Sequence, residues 1–534
     1  MNLIKHLNGK NAVVFLLGMS LVFAYAPFSY WPIALFVPSL IFIVIDKLSP
    51  KRTAKILFIF AFGWFASGIS WVHVSIDQFG GIPLVFSLTL MLLLCLYLAL
   101  FAALAGFLAA FFSNNKRLNL WLLPPLWLLC EYLRSVFLTG FPWLSLGYSQ
   151  VDSPLSSFAP VVGEVGITAI LLYINVAFYT LFSQFFKVLK AKKSDDVNYT
   201  TDNSEQIQKR SIYFSAFVLI TISLSAYILG NVKWVKPQNK TINVAIIQGN
   251  IEQSMKWKPE LEWPTMLKYL DLTRVNNDAD LIVWPESAVP ALEPASQDYL
   301  STVNRSALLN DSAIITGIQN YDRSSKKFYN GLIVLGKKDA EDETGYSYYS
   351  RNRYYKNHLL PIGEFVPFQE ILRPIAPLFN LPMSSFSPGA YQQPNLVANG
   401  LSILPLICFE IAFPHQLAAN FSQQTDLILT VSNDAWFGDS HGPHQHMDIA
   451  RMRAIEFARP VLRSTNNGVT GVVDHQGYMI ATIAQFKEAV LRADIPLVSG
   501  RTPYSEWPKA ILVLMILIPF LLVKIIDKKY QSKH

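Results

Sequence analysis

Three strand-like runs end on residues that can do chemistry together. "IVWPES" (282–287) carries Glu286, "RYYKNHLLPIGEFVP" (353–367) carries Lys356 and Glu364, and "PLICFE" (405–410) carries Cys408. A thiol is a strong neutral-pH nucleophile, but only as the thiolate. A carboxylate within reach can take its proton. A lysine beside it can stabilise the thiolate and then the oxyanion of an acyl intermediate, and backbone N–H groups after Cys408 can complete an oxyanion hole. Each residue alone also has a plain reading. A cysteine closing an apolar run is usually a small buried hydrophobe. A glutamate at a strand end is usually solvated or capping, and a loop lysine usually lies at the surface.

Chemistry of this kind needs a rigid frame, and the sequence from Thr241 onward reads as one. Short β-rich runs recur: "INVAIIQ", "DLIVWPES", "SAIITGIQ", "NGLIVLG", "LSILPLICFE", "DLILTVSND" and "VTGVVD". Helical stretches such as Glu262–Val275 and His444–Ala458 lie between some of them. Alternation of this sort predicts an α/β layered domain. Runs such as "LILTV" are apolar on both faces, as in a sheet covered on both sides.

The remaining sequence is of a different kind. Of the 534 residues 52% are hydrophobic and only 15% charged, and the apolar residues fall in blocks. Spans of roughly 17–25 apolar residues can cross a bilayer. Eight candidates follow: Ala12–Pro27, Tyr30–Ile45, Ile56–Ile76, Ile82–Phe112, Leu118–Leu138, Phe158–Phe186, Ile212–Val232 and Ala510–Ile526. Lys and Arg crowd before the first span, after the second, fourth and sixth, and at the C-terminal end, while the turns after the first, third and fifth carry none. This positive-inside alternation predicts cytoplasmic termini and places the region after the seventh span outside the cytoplasm. The expected division is a membrane domain over 1–232, an extracytoplasmic domain over 233–506 and a final span with its tail over 507–534. The net charge of +7 is thereby explained by topology, and nucleic acid is not an expected partner.

Several features have competing readings. Ala24-Tyr25-Ala26 resembles a signal-peptidase site, but Pro27 follows it and the charge alternation favours a retained first span. Glu131 and Arg134 share a helix face inside the fifth span, either as an intramembrane functional pair or as a lock on helix packing. His441, His444 and His446 suggest a metal site, but positions two apart on one helix point away from each other, and no metal is expected. Phe368–Gly389 is long, apolar and rich in proline, and reads either as core or as a mobile arm dipping into the bilayer. Cys95 and Cys130 lie inside apolar blocks, so Cys408 is expected to be a free thiol.

Five blocks in order carry a resemblance: "QGNIEQSMKW" (248–257), "WPESAVP" (284–290), "KNHLLPIGEFVPF" (356–368), "CFE" (408–410) and the long run from Val431 to Gly471. Together with the span pattern they resemble the bacterial apolipoprotein N-acyltransferases, a membrane-embedded branch of the nitrilase superfamily. The resemblance implies a nitrilase-like αββα sandwich on the periplasmic side of the inner membrane. It implies that Glu286 is the general base, Lys356 the triad lysine and Cys408 the acyl-carrying nucleophile. Glu364 matches a second required acid, and Trp257, Phe409 and Glu410 match supporting positions. Phe409 stands where relatives often have tyrosine, so any role of that hydroxyl is lost. No cofactor is implied. The implied donor is a membrane phospholipid, and the acceptor is the α-amino group of an apolipoprotein's diacylglyceryl-cysteine. Two rival readings use the same residues differently: a membrane-tethered amidase for small amides, and a non-enzymatic scaffold or transporter.

Overall fold

Alternation within "TINVAIIQ" decides how the first strand of the α/β unit faces. Ile242, Val244 and Ile246 point one way and Ala245 and Ile247 the other, because successive strand side chains alternate. In the computed structural model, which describes residues 2–193, 202–361, 363–365 and 386–531, the first set enters a core between two sheets and the second packs under helices. The chain forms two compact units: Met1–Ser70, Thr89–Val232 and Trp507–His534 in one, Trp71–Leu88 and Lys233–Glu506 in the other.

The second unit contains strands β1 (Val235–Gln248), β2 (Leu281–Val283), β3 (Val289–Leu292), β4 (Ala313–Asp322), β5 (Lys327–Gly336), β6 (Arg353–Tyr355), β7 (Leu396–Ala398), β8 (Leu401–Ile407), β9 (Leu427–Ser432), β10 (Val461–Thr465), β11 (Thr470–Val473), β12 (Met479–Ile483) and β13 (Ala489–Gly500). One sheet runs β13-β1-β2-β4-β5-β6 with β3 beside β4, and the other runs β12-β11-β10-β9-β8-β7. β1, β2 and β4 are parallel neighbours, as are β8, β9 and β10. The helices Pro259–Arg274 and Gln297–Leu309 cover the first sheet through Met266, Tyr269, Leu300 and Val303. Helix Gly442–Phe457, almost wholly buried, packs against β10 of the second. The expected two-sheet α/β sandwich is present. Its strands are the runs read from sequence, β6 among them, with β3, β7, β10, β12 and β13 in addition.

Residues 71–79 belong to this unit although the expected third span, Ile56–Ile76, runs into them. The chain bends by 56° between helix Pro50–Gly68 and the stretch Val72–Phe79. Beyond the bend, Trp71 donates its indole N–H to Gln445 at 3.2 Å and packs edge-on against Phe437. The Ser75 hydroxyl donates to the Trp436 carbonyl at 2.6 Å, and Phe79 meets the Trp436 ring.

In the other unit, four helices among the described residues are long and apolar enough to cross a membrane: Leu84–Phe111, Pro154–Phe186, Lys209–Gly230 and Pro508–Lys528. The bent pair Pro50–Gly68 with Val72–Phe79 makes a fifth if taken as one span. The count of eight is not reached by length and composition. The apolar helices Gly9–Ala24 and Pro32–Ile45 are short, and Leu123–Val136 stops after 14 residues, about 21 Å at 1.5 Å per residue. Helices Asn2–Ser20 and Pro50–Gly68 meet at glycines. A Cβ on Gly18 would fall 1.9 Å from the Phe60 carbonyl oxygen, and one on Gly63 would fall 2.3 Å from that of Phe15. Small residues allow such approach where lipid offers no hydrophobic drive for helix association.

The Glu131–Arg134 pair locks a turn. Arg134 donates to the carbonyls of Phe141 and Trp143 at 2.8 and 2.7 Å and pairs with Glu131, which also accepts the Trp127 indole N–H at 3.0 Å. These bonds hold the chain where it leaves the helix through Leu138, at φ +51°. The packing reading fits them. Of the proline-rich segment Phe368–Gly389, residues 368–385 lie outside the described residues. At its end the Phe386 N–H donates to the Glu364 carbonyl at 3.1 Å and the Gly389 N–H to that of Lys356 at 2.9 Å.

Candidate active site

Glu286, Lys356 and Cys408 each sit just beyond a strand. β2 ends at Val283, and the chain turns so tightly that Ser287 takes φ +50°. β6 ends at Tyr355 and Lys356 follows directly. β8 ends at Ile407, and Cys408 itself takes φ +55° before a 3₁₀ turn over Cys408–Ala412. A left-handed non-glycine residue costs on the order of 1–3 kcal/mol and persists only where its surroundings over-determine it.

The glutamate turn rests on a glycine. A Cβ on Gly317 of β4 would lie 2.5 Å from the Ser287 nitrogen and 2.7 Å from the Glu286 Cα. Those neighbours are backbone and cannot swing aside. Gly317→Ala is therefore expected to displace the Glu286 turn and slow turnover about 100-fold, as an ångström of misplacement does. Turnover and thermal unfolding measured together check this. An unchanged rate would mean that the turn is not what aims the base.

Lys356 is 2% exposed and lies between two carboxylates. Its Nζ is 3.7 Å from Glu286 Oε1 and 2.8 Å from Glu364 Oε2. Asn330 Nδ2, from β5, donates to both acids, at 2.8 Å to Glu286 and 3.0 Å to Glu364. The backbone N–H of Asn433 donates to Glu286 Oε2 at 3.0 Å, and that of Leu360 to Glu364 Oε2 at 2.8 Å. Burial pulls the lysine down, but Glu364 and then Glu286 outweigh it and hold the ammonium well above the ordinary lysine range.

Cys408 keeps some exposed surface, yet its surroundings are dry. Burial, then the Glu286 carboxylate, push its thiol up to about 12, against the pull of Lys356. The resting pair is therefore thiol and ammonium, not thiolate and ammonium. The sign is testable. The thiolate fraction grows as pH rises toward the pKa, so alkylation of Cys408 by iodoacetamide is expected to climb about tenfold per pH unit from pH 7 to 9. Mass analysis of the peptide holding Cys408 reads it. A plateau near pH 7 would mean a preformed thiolate.

Glu410 ties the lysine and cysteine segments together. It is fully buried and accepts the backbone N–H groups of Ile407, Asn357 and His358 at 2.8, 2.8 and 3.0 Å. The Tyr354 hydroxyl and the Gln416 amide reach it at 2.9 Å. One side chain thus clasps the residue before Cys408 and the two after Lys356. Phe409 is buried, edge-on to Phe413 and near the His358 ring. Trp257 is not drawn into this cluster and is 41% exposed. Its neighbour Lys256 is buried instead, donating to the Glu286 carbonyl at 3.0 Å, and burial lowers it to about 8.

Of the three histidines, His446 is fully buried, with Nδ1 3.3 Å from Asp434 and Nε2 3.1 Å from the Cys408 carbonyl. Among the described residues no three His, Cys, Asp or Glu side chains gather to hold a metal ion. Sequence reading did not single out Asn330, Asn433, Lys256 or Asp434. The available signal for Asn330 was a polar residue inside an otherwise apolar run, a position that demands partners when buried.

A thiol in a strained turn, a carboxylate, and an ammonium held by a second carboxylate suit acyl transfer. Known proteins point the same way. The apolipoprotein N-acyltransferase N-terminal domain family matches residues 17–177, and the carbon-nitrogen hydrolase family matches 243–502. An apolipoprotein N-acyltransferase of Shewanella oneidensis is 46% identical over 501 residues, covering 92% of this chain and 91% of that protein. Those of Vibrio cholerae and Vibrio vulnificus are 44% and 46% identical, each covering 94% of its own length and 93% and 94% of this chain. Identity at this level across both units shows that the chain belongs to the apolipoprotein N-acyltransferase family.

Proposed function

We propose that this protein N-acylates apolipoproteins by ping-pong transfer through Cys408. Glu286 takes the Cys408 proton, and the thiolate attacks an ester carbonyl of a membrane phospholipid. The Lys356 ammonium and backbone N–H groups near Cys408 hold the oxyanion. The ester C–O bond breaks, the lysophospholipid leaves with the proton from Glu286, and a thioester remains. The α-amino group of a diacylglyceryl-cysteine then attacks. With a pKa near 7.7–8.0, a useful fraction of such amines is unprotonated at neutral pH. The proton passes to Glu286, the amide forms and the thiolate departs. Glu364 holds the lysine, and Glu410 and Phe409 hold the nucleophile turn. Trp257, exposed beside the buried Lys256, is a contact for substrate. No metal or cofactor enters these steps.

The observation that carries this reading is Lys356, buried between Glu286 and Glu364 on a segment that Glu410 ties to the turn of Cys408. The long apolar helices support a bacterial inner-membrane location. We read the short and bent helices as crossings too, giving eight spans. The basic-loop alternation then supports cytoplasmic termini and a periplasmic catalytic domain, over 233–506 with residues 71–88 joined to it. A tethered small-amide hydrolase is not favoured, because it would not require so extensive an apolar unit.

Intact-protein mass spectrometry after incubation with phosphatidylethanolamine tests the proposal. An added acyl mass on the peptide holding Cys408, discharged by a diacylglyceryl peptide, is expected. Active protein that carries no adduct would refute it.

A further inference from the structure

We propose that His446 is a positioning residue for acyl transfer, its Nε2–H holding the Cys408 carbonyl so that the nucleophile's turn stays in register with Glu286. The proposal rests on reading Cys408 as the nucleophile.

Both ring nitrogens of His446 face oxygen acceptors. Nε2 faces a carbonyl oxygen at 3.1 Å, and a carbonyl only accepts, so the contact is a hydrogen bond only if Nε2 carries a proton. Nδ1 faces Asp434 Oδ1 at 3.3 Å, an oxygen that already receives the Ser432 hydroxyl at 2.6 Å. Asp434 Oδ2 takes the Arg463 guanidinium at 2.6 Å. Asp434, His446, Ser432 and Arg463 are all essentially inaccessible to water. In a medium that dry, a lone pair facing an acceptor is costly, so both contacts are satisfied together only when both ring nitrogens carry protons.

Its connections explain what the ring is for. Cys408 sits in a left-handed conformation that needs holding, and His446 holds its carbonyl. The same short segment serves the base. Ser432 and Asp434 belong to this network, and the residue between them, Asn433, gives its backbone N–H to Glu286 Oε2 at 3.0 Å. One rigid stretch thus aims the carboxylate through its backbone and the thiol through Asp434 and His446. Glu410 accepts the N–H of Ile407, so the backbone is held both just before Cys408 and at its carbonyl. Burial and Arg463 push the imidazole toward its neutral form, while Asp434 and the Cys408 carbonyl pull the other way. The doubly protonated ring donates to both oxygens, and the neutral ring protonated on Nε2 keeps its bond to Cys408 while giving up the one to Asp434.

Two near-isosteric variants separate this role from mere packing. Glutamine places its amide N–H where Nε2 lies, whereas asparagine reaches only as far as Nδ1. In full-length detergent-solubilised protein, single-turnover acylation of Cys408 by phosphatidylethanolamine should slow about 100-fold in His446→Asn with little change in the concentration giving half-maximal rate. His446→Gln should stay within fivefold of the unsubstituted protein. Equal rates in the two variants, or a faster His446→Asn, would overturn the proposal. Should His446→Asn fail to fold, ¹⁵N-histidine-labelled protein decides instead, with the His446→Gln spectrum assigning the signal. A protonated Nε2 supports the proposal, and an unprotonated one refutes it. No adduct on the unsubstituted protein would refute the nucleophile reading itself, and this proposal with it, whereas a normal adduct with equal variants refutes the role of His446 alone.

Discussion

Cys408→Ser is expected to lower N-acylation by about 10⁴-fold or more while the protein keeps its fold, the scale at which loss of a triad nucleophile is felt. The substitution changes one atom, and serine suits the left-handed turn no less than cysteine. What changes is the proton. The thiol is already held at about 12, chiefly by burial, and an alcohol in the same dry place resists ionisation further still. Glu286 would then have to remove a far more tightly held proton for a weaker nucleophile. The second half-reaction suffers as well. An oxygen ester surrenders its acyl group to an amine less readily than a thioester does, so any acyl-serine that formed would accumulate. The assay is transfer of a labelled acyl chain from phospholipid to a diacylglyceryl peptide, with intact mass read in parallel. Activity above a tenth of the unsubstituted level would remove Cys408 from the mechanism. A slow adduct without transfer would locate the defect in the second step.

Glu286 and Cys408 were legible in the sequence as candidates for a physical reason. Parallel strands buried on both faces read as continuous apolar runs, so their ends stand out as the first polar residues, and Glu286 and Cys408 lie there. The hydrogen-bond partners were not legible, because the pairings are long-range. Asn330 meets Glu286 across 44 positions and Asn433 meets it across 147, and nothing local in either segment announces the other. The breaks within the apolar helices were not legible, for the opposite reason. Apolar composition reports that a stretch avoids water, not where its helix breaks. The run Ile56–Ile76 reads as unbroken, yet the chain bends by 56° within it, and of the run Leu118–Leu138 only Leu123–Val136 is α-helix. Beyond the bend, Trp71 and Ser75 meet Trp436, Phe437 and Gln445 instead of continuing the helix. Glu410 was noticed only by resemblance. Its five donors come from three segments, and no spacing rule predicts that a buried carboxylate will accept them all.

Lys356→Met is expected to slow thioester formation about 10³-fold, the upper range for losing one oxyanion donor, and to move the residual activity toward higher pH. Methionine keeps most of the volume and removes the charge. Glu286 and Glu364 would then share the Asn330 amide, at 2.8 and 3.0 Å, with no cation between them. Two like charges in one dry site do not both stay ionised, so one carboxyl takes a proton. When that carboxyl is Glu286, the base is lost at neutral pH and returns only as pH rises, which gives the sign of the shift. The double variant Lys356→Met/Glu364→Gln separates the lysine's two duties. Glutamine removes the competing charge, so the pH profile should fall back toward that of the unsubstituted protein. The rate should remain low, because no ammonium meets the oxyanion. Removing one partner of a buried ion pair also costs about 3–5 kcal/mol of stability, so unfolding is followed beside the kinetics, and the glutamine is expected to recover part of that loss. If Lys356→Met formed thioester within tenfold of the unsubstituted rate, the lysine would be a structural counter-ion to the two glutamates, and oxyanion stabilisation would have to come from the backbone N–H groups beside Cys408 alone.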